Sequence, residues 1–423
     1  MTAPAPLSPR ARYAVLFVAF SALLFDGMEL GLMPIAAGSV AKSFLGDAFT
    51  KELGGIWFAK LNASLLLGAA VGGIWLGALG DKIGRTRALG IGVLFYSVFC
   101  GLGYFVTSLN QMLVLRFLVG LGVGGVWPNG VALVSECWPK VSRPVVAGIM
   151  GAGINVGIFI LSRLTAYFHI TPEAWRWVFA VCAAPAILGV VTLWFVPESP
   201  TWLAARSRRR EEADDGGKPS TPLSELFRPP LLRTMIVGIA LGSIPLVGAW
   251  AASKWMFPWA ELVAGPENPD YKSTAQGWWS VGAVLGSFFG AQLASLIGRR
   301  LAYFLISLGS TAITCGMFLL TKPMQPIFLP LLFCQGFIAT LFFGWLPLYL
   351  PELFPTRVRA TGSGIAYNVG RFATAAGLFG AGALVGLFGG NYAHVGAAMA
   401  LIYALGMVVI WFAPDTTNKS LEE

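Results

Sequence analysis

Four charged side chains lie in stretches where charge is expensive. Asp26 and Glu29 fall three residues apart in FDGMEL, inside an apolar run from about Tyr13 to Val40, while Arg116 and Arg371 are embedded in RFLVGLGVGGVWP and YNVGRFATAAG. A charge at the centre of a bilayer costs roughly 2.5–3.5 kcal/mol on insertion scales, so one kept there is a functional candidate. A spacing of three puts both carboxylates on one side of a helix. Burial favours the neutral form of a carboxylate and a neighbouring cation the ionised form, so a group held between these effects can exchange a proton. Arg371 lies about eleven residues into its run, ~16 Å deep at 1.5 Å per residue. Tyr367 and Asn368 precede it by four and three positions on the same face. A guanidinium fork beside an amphipathic ring suits a small carboxylate. Asn155 and Gln335 add neutral hydrogen-bonding groups at comparable depth, and Trp127, Trp250, Trp255 and Trp345 could cover the apolar body of a ligand. Lys254 and Arg163 read as lying nearer the outer surface, with their charges snorkelling to water.

The elements that must hold these groups follow from composition. The 423 residues are 56% hydrophobic and only 12% charged, with a mean hydropathy of +0.71. A soluble domain carries about 25% charged residues, so this chain cannot cover a water-facing surface. Apolar runs long enough to cross ~30 Å of hydrocarbon recur near 13–40, 56–79, 88–107, 111–137, 145–168, 175–196, 231–262, 274–297, 301–320, 327–350, 360–387 and 394–413. Twelve spans put both termini on one side. Arg10, Arg12, Lys82, Arg85, Arg87, Lys140, Arg143, the 206–233 cluster, Arg299, Arg300, Arg357, Arg359 and Lys419 fall on alternate loops or ends, against only Lys42, Lys51, Lys272 and Lys322 on the others. That bias predicts cytoplasmic termini in a plasma (inner) membrane, and it accounts for the net charge of +9 without nucleic acid. The Pro-rich start and the long, acid-interrupted first run argue for a retained helix rather than a signal peptide. Cys100, Cys137, Cys182, Cys315 and Cys334 show no CxxC spacing, so neither a metal nor a disulfide framework is predicted. His169 and His394 fall near outer loops and read as solvated or capping groups.

The chain divides near its middle. Residues 197–230 form a polar, Pro- and Gly-containing stretch with RSRRR and EEADD blocks, read as a cytoplasmic linker between six-helix halves at 1–196 and 231–423. The halves repeat each other. Glu136-x-x-Pro139-x-x-x-Arg143 matches Glu352-x-x-Pro355-x-x-x-Arg359, Gly84-Arg85 matches Gly298-Arg299, and Pro197-Glu198-Ser199 matches Pro414-Asp415-Thr416, all at nearly one offset. A parallel repeat about an axis along the membrane normal is a known transporter plan.

GALGDKIGRTR (Gly77 to Arg87) resembles the loop signature of the major facilitator superfamily. RFLVGLGVGGVWP, PESPTWL (Pro197 to Leu203) and the tail PDTTNKSLEE (Pro414 to Glu423) are similar to its sugar-porter-like branch, which also holds aromatic-acid and metabolite symporters, organic-ion transporters and synaptic-vesicle-type relatives. The second copy of the loop reads AQLASLIGRR, with Ser295 where the first has Asp81. The seventh span, GIALGSIPLVGAWAASKWMFPW, lacks the glutamine pair that sugar porters tend to carry. The resemblance implies an all-α membrane fold of two pseudo-symmetric six-helix bundles, monomeric in its lipid bilayer. It also implies an Asp26–Arg116 coupling pair, and a cytoplasmic gate built from Asp81, Arg85, Glu136, Arg143, Glu352 and Arg359 across the gap between halves.

These readings converge on a secondary active transporter without nucleotide-binding or catalytic motifs, driven by a proton gradient rather than a cofactor, and not an enzyme. Asp26, Glu29 and Arg116 would couple the proton. Arg371, Tyr367, Asn368, Asn155 and Gln335 would bind a small organic acid anion, aromatic acids included. A sugar or polyol symporter and an organic-cation or drug antiporter are the alternatives.

Overall fold

The apolar runs become helices in a computed structural model of the chain, described over residues 7–138, 143–204, 206–207, 226–229, 231–355 and 358–417. The side chains of Arg143, Pro144, Ala147 and residues 359–361 lie outside that description, as does most of the charged 206–220 stretch. Among the described residues, twelve helices are long and apolar enough to cross a membrane. They are α1 (Pro9–Ala48), α2 (Lys51–Ile83), α3 (Arg85–Phe105), α4 (Leu109–Cys137), α5 (Gly148–Phe168), α6 (Arg176–Phe195), α7 (Leu231–Ala264), α8 (Tyr271–Ile297), α9 (Arg299–Leu320), α10 (Phe328–Glu352), α11 (Gly362–Leu387) and α12 (Tyr392–Phe412). They match the expected spans, with α1 extending further at both ends.

Small residues set the packing inside each bundle, because lipid gives helices no hydrophobic reason to associate and close backbone approach supplies the attraction instead. A Cβ on Gly68 of α2 would sit 2.0 Å from the Phe117 carbonyl oxygen of α4, and one on Gly282 of α8 would sit 2.0 Å from that of Phe333 in α10. Only hydrogen fits at either place, and the two places correspond in the two halves. The turns repeat as well. Gly84 (φ 117°) and Gly298 (φ 90°) end α2 and α8 in backbone conformations that side chains disfavour. The bundles meet where α2 packs on α11 and α5 on α8.

α7 departs from regular helix. Pro245 cannot donate to its turn, a π-helical turn follows at Gly248–Ala252, and a 3-10 turn at Ser253–Trp255 leads into the last helical segment. Such wide turns concentrate at functional sites.

Candidate functional site

Between the bundles, at mid-depth, lies a cavity of about 120 Å³ lined by both halves. An engineered apolar cavity of about 150 Å³ holds benzene, so the space fits a small molecule. α1 contributes Asp26 and Leu30, α4 Val123 and Trp127, and α5 Ile154, Asn155 and Ile158. From the other half come Trp250 and Lys254 of α7, Trp279 and Ser287 of α8, Phe343 and Pro347 of α10, and Tyr367, Arg371 and Thr374 of α11.

The two acids of α1 separate. Asp26 lines the cavity, 2% exposed, and its Oδ1 has no hydrogen-bond partner among the described residues. Glu29 turns instead toward α4, where Arg116 Nη1 bonds its Oε2 at 3.1 Å and Nη2 donates to its main-chain oxygen at 3.2 Å. The expected Asp26–Arg116 pair is therefore corrected to Glu29–Arg116, both 1% exposed. Three residues advance a helix by about 300°, and the remaining ~60° directs one side chain to the cavity and the other to α4. The ligating atoms of Glu29, Cys100 and Cys182 lie within 4.8 Å of one another, but the Arg116 guanidinium already occupies the carboxylate's neighbourhood with positive charge.

The α11 face is partly as expected. Arg371 lies 5.3 Å from the centroid of the Tyr367 ring and both line the cavity. Its Nη1 also crosses to the other bundle, donating to the carbonyls of Ala69 at 2.9 Å and Gly124 at 3.3 Å. Asn368 does not line the cavity. Its amide donates to Gly364 at 3.0 Å, and its Oδ1 points to the narrow passage at Gly73, where an added Cβ would lie 2.6 Å away. Asn155 lines the cavity and is already bonded to Ser287 Oγ at 2.9 Å, a second bridge between halves.

Gln335 is corrected more substantially. It is fully buried behind the cavity, accepting from Trp279 Nε1 at 2.7 Å and donating to Ser253 Oγ at 2.7 Å and Thr314 Oγ1 at 3.2 Å. It thereby ties the irregular part of α7 to α8. Trp255 and Trp345 also stand off the cavity. Trp255 packs between Phe58 and Tyr392, and Trp345 donates to the Arg299 carbonyl at 2.9 Å.

Lys254 overturns its surface assignment. It lines the cavity at 3% exposure, with Nζ 3.7 Å from the Trp279 ring centroid, 5.2 Å from Phe257 and 5.6 Å from Trp250. Its ammonium has no hydrogen-bond partner among the described residues. Trp250 lines the same cavity, but the π and 3-10 turns that hold the two residues keep a regular helical count from linking them. Arg163 is exposed as expected.

At the end of the helices nearest the termini, each observed ion pair stays within one half. Arg85 pairs with Asp81 at 2.5 Å and lies 3.5 Å from Glu136, and Arg299 grips Glu352 at 3.0 and 3.1 Å. Among the described residues Asp81 pairs with Arg85 rather than across the gap, and Glu352 has Arg299 as its partner. The side chains of Arg143 and Arg359 fall outside the described residues. The sequence reading missed Glu198, which accepts from the Thr86 amide at 3.1 Å and caps α3. It also missed Thr416, which donates to Glu352 at 2.5 Å in the other half. Thr417 donates to Asp415 through its hydroxyl and amide, holding that carboxyl below its usual range. The opposite end is closed between halves. Ser39 of α1 donates to Ile170 and bonds Glu261 of α7, Lys272 of α8 bonds both Ser39 and Glu261, and Tyr392 donates to the Lys51 carbonyl at 2.6 Å.

Twelve spans in two matched bundles, enclosing a cavity with buried charges from each, define a multi-pass membrane transporter rather than an enzyme. The chain belongs to the major facilitator superfamily: that family's profile matches residues 15–267, and the sugar (and other) transporter profile matches 264–423. It is 31% identical to the cis,cis-muconate transport protein of Acinetobacter baylyi, over 86% of this chain and 85% of that protein. A probable 4-methylmuconolactone transporter of Cupriavidus pinatubonensis is also 31% identical, over 86% and 82%. The 4-hydroxybenzoate transporter PcaK of A. baylyi is 24% identical, over 92% and 87%. Among solved structures, the partially occluded inward-open xylose transporter XylE of E. coli shares the fold, with a TM-score of 0.73 at 17% identity over 97% of this chain and 100% of that one.

Proposed function

We propose that the protein is a proton-coupled symporter of a small organic acid anion, aromatic acids included. It would work by alternating access between the halves 1–196 and 231–423, joined by the 197–230 linker, with both termini cytoplasmic in the plasma membrane. The observation that carries this reading is Asp26, a buried carboxylate without a partner at one oxygen, sharing a mid-depth cavity with Arg371 of the opposite half. Protonation of Asp26 removes a charge from the site as the anion enters, so the occupied cavity can turn without an extra buried charge. Glu29 and Arg116, paired behind it, are positioning groups for α1 and α4. The names of the muconate and 4-hydroxybenzoate relatives support an acid substrate.

A sugar reading fits less well, since sugar hydroxyls need many polar partners and this lining is dominated by apolar and aromatic side chains. Gln276 and Gln335 are committed elsewhere, to the Gly31 carbonyl and to the Trp279–Ser253 network. Purified protein in liposomes with an acidic exterior tests the reading. Uptake of 4-hydroxybenzoate or cis,cis-muconate, accompanied by alkalinisation outside and without uptake of D-xylose, is expected. Xylose uptake alone would favour the sugar porter, and substrate entry that acidifies the outside would favour antiport.

A further inference from the structure

We propose that Lys254 receives the carboxylate of the substrate, with Trp250 and Trp279 forming walls for its planar conjugated or aryl body. The inference rests on the organic-acid reading and names the group that makes it selective. An ammonium carries three donors and no acceptor, and burying one without hydrogen bonds is costly. At Lys254 the ring faces of Trp279, Trp250 and Phe257 offset part of that cost by cation–π attraction, but they supply no acceptor. Nζ has none among the described residues, and the cavity it lines is the direction from which one can come. Asp26 opens onto the same cavity without forming an ion pair with it. The second cation there, Arg371, is differently placed, with Nη1 already holding two carbonyls of the other bundle. No donor of Lys254 has an acceptor among the described residues, whereas one nitrogen of Arg371 already holds the facing bundle.

The walls are preorganised. Gln335 holds the indole nitrogen of Trp279 with one end and Ser253, the residue before Lys254, with the other. Ser253 also bonds the Gly248 carbonyl at 3.2 Å and the Tyr403 hydroxyl at 3.2 Å. The irregular turn of α7 and the ring beneath the ammonium are thus fixed by one polar network before a ligand arrives, which lowers the ordering cost of binding.

The test compares 4-hydroxybenzoate with its neutral isostere 4-hydroxybenzamide, using ligand-induced thermal shift and tryptophan quenching in the full-length protein. In the unaltered protein the acid is expected to bind more tightly. Lys254→Met is expected to weaken acid binding roughly 10- to 100-fold, to erase the preference over the amide, and to leave unliganded stability equal or higher. Lys254→Arg is expected to retain the preference. Trp279→Leu is expected to weaken both ligands alike. An unchanged preference in Lys254→Met overturns the assignment while leaving the organic-acid reading intact. Loss of folding or of unliganded stability in that variant makes Lys254 a structural group and overturns it too. If the unaltered protein binds neither 4-hydroxybenzoate nor cis,cis-muconate, the organic-acid reading falls and the site falls with it.

Discussion

At the scale of single residues, the buried intramembrane charges are held in different ways. Glu29 and Arg116 form an ion pair in the buried interior of one bundle. Removing one partner of such a pair strands the other, at a cost of about 3–5 kcal/mol, whereas apolar replacement of both is often tolerated. Arg116→Met is therefore expected to lower unfolding stability by about that amount, and Glu29→Leu combined with Arg116→Met to recover most of it, as followed by thermal unfolding in detergent. Asp26 differs because no cation among the described residues forms an ion pair with it, and it faces the cavity. Asp26→Asn is expected to abolish accumulation driven by a pH gradient while counterflow exchange continues, and accumulation that persisted would remove Asp26 from the coupling step. FDGMEL marked both acids as candidates. It did not say which one met arginine, since ~60° of helix rotation decides that and the facing helix is unknown to a linear reading. Lys254 was misread for a related reason: a lysine far along a long span counts as superficial when the span is taken as straight.

At the scale of elements, α7 is where periodicity stops being a guide. The π turn at Gly248–Ala252 and the 3-10 turn after it change the angular step between residues, so positions beyond Pro245 cannot be assigned to a face by counting 3.6 per turn. The sequence shows the proline but not the hydrogen bonds that settle the outcome. Gln335 belongs to this scale as a positioning residue, and its depth was legible whereas its direction was not. Gln335→Leu is expected to weaken 4-hydroxybenzoate binding about 10-fold through loss of the Trp279–Ser253 tie. The loss should appear as weaker binding of acid and amide together, unlike the selective loss expected at Lys254. The glycine-lined contacts of α2 with α4 and α8 with α10 were more legible, because glycine recurring at matched offsets in apolar runs marks where two helix backbones touch.

At the scale of the whole molecule, the duplicated architecture was readable from short repeated motifs, since the same turns and caps are needed twice. The state of the two ends was not readable, because ion pairs that can form within a half or across the gap have the same sequence. Among the described residues the terminal end keeps its ion pairs within halves, while Ser39, Glu261 and Lys272 fasten the opposite end. Glu261→Gln is expected to loosen that fastening, measured as faster labelling of an Ile158→Cys reporter by a membrane-impermeant thiol reagent from the side opposite the termini. Slower or unchanged labelling would assign the cluster to local folding alone.

The unpartnered carboxylate and ammonium of the central cavity have an electrical consequence. Empty, they cancel; after a proton settles on Asp26 and an anion on Lys254, the sum is again zero. For a monocarboxylate such as 4-hydroxybenzoate, both forms of the carrier would then cross the field with equal charge, so voltage imposed by potassium and valinomycin should leave its accumulation ratio unchanged, and only the chemical difference in hydrogen ions should set it.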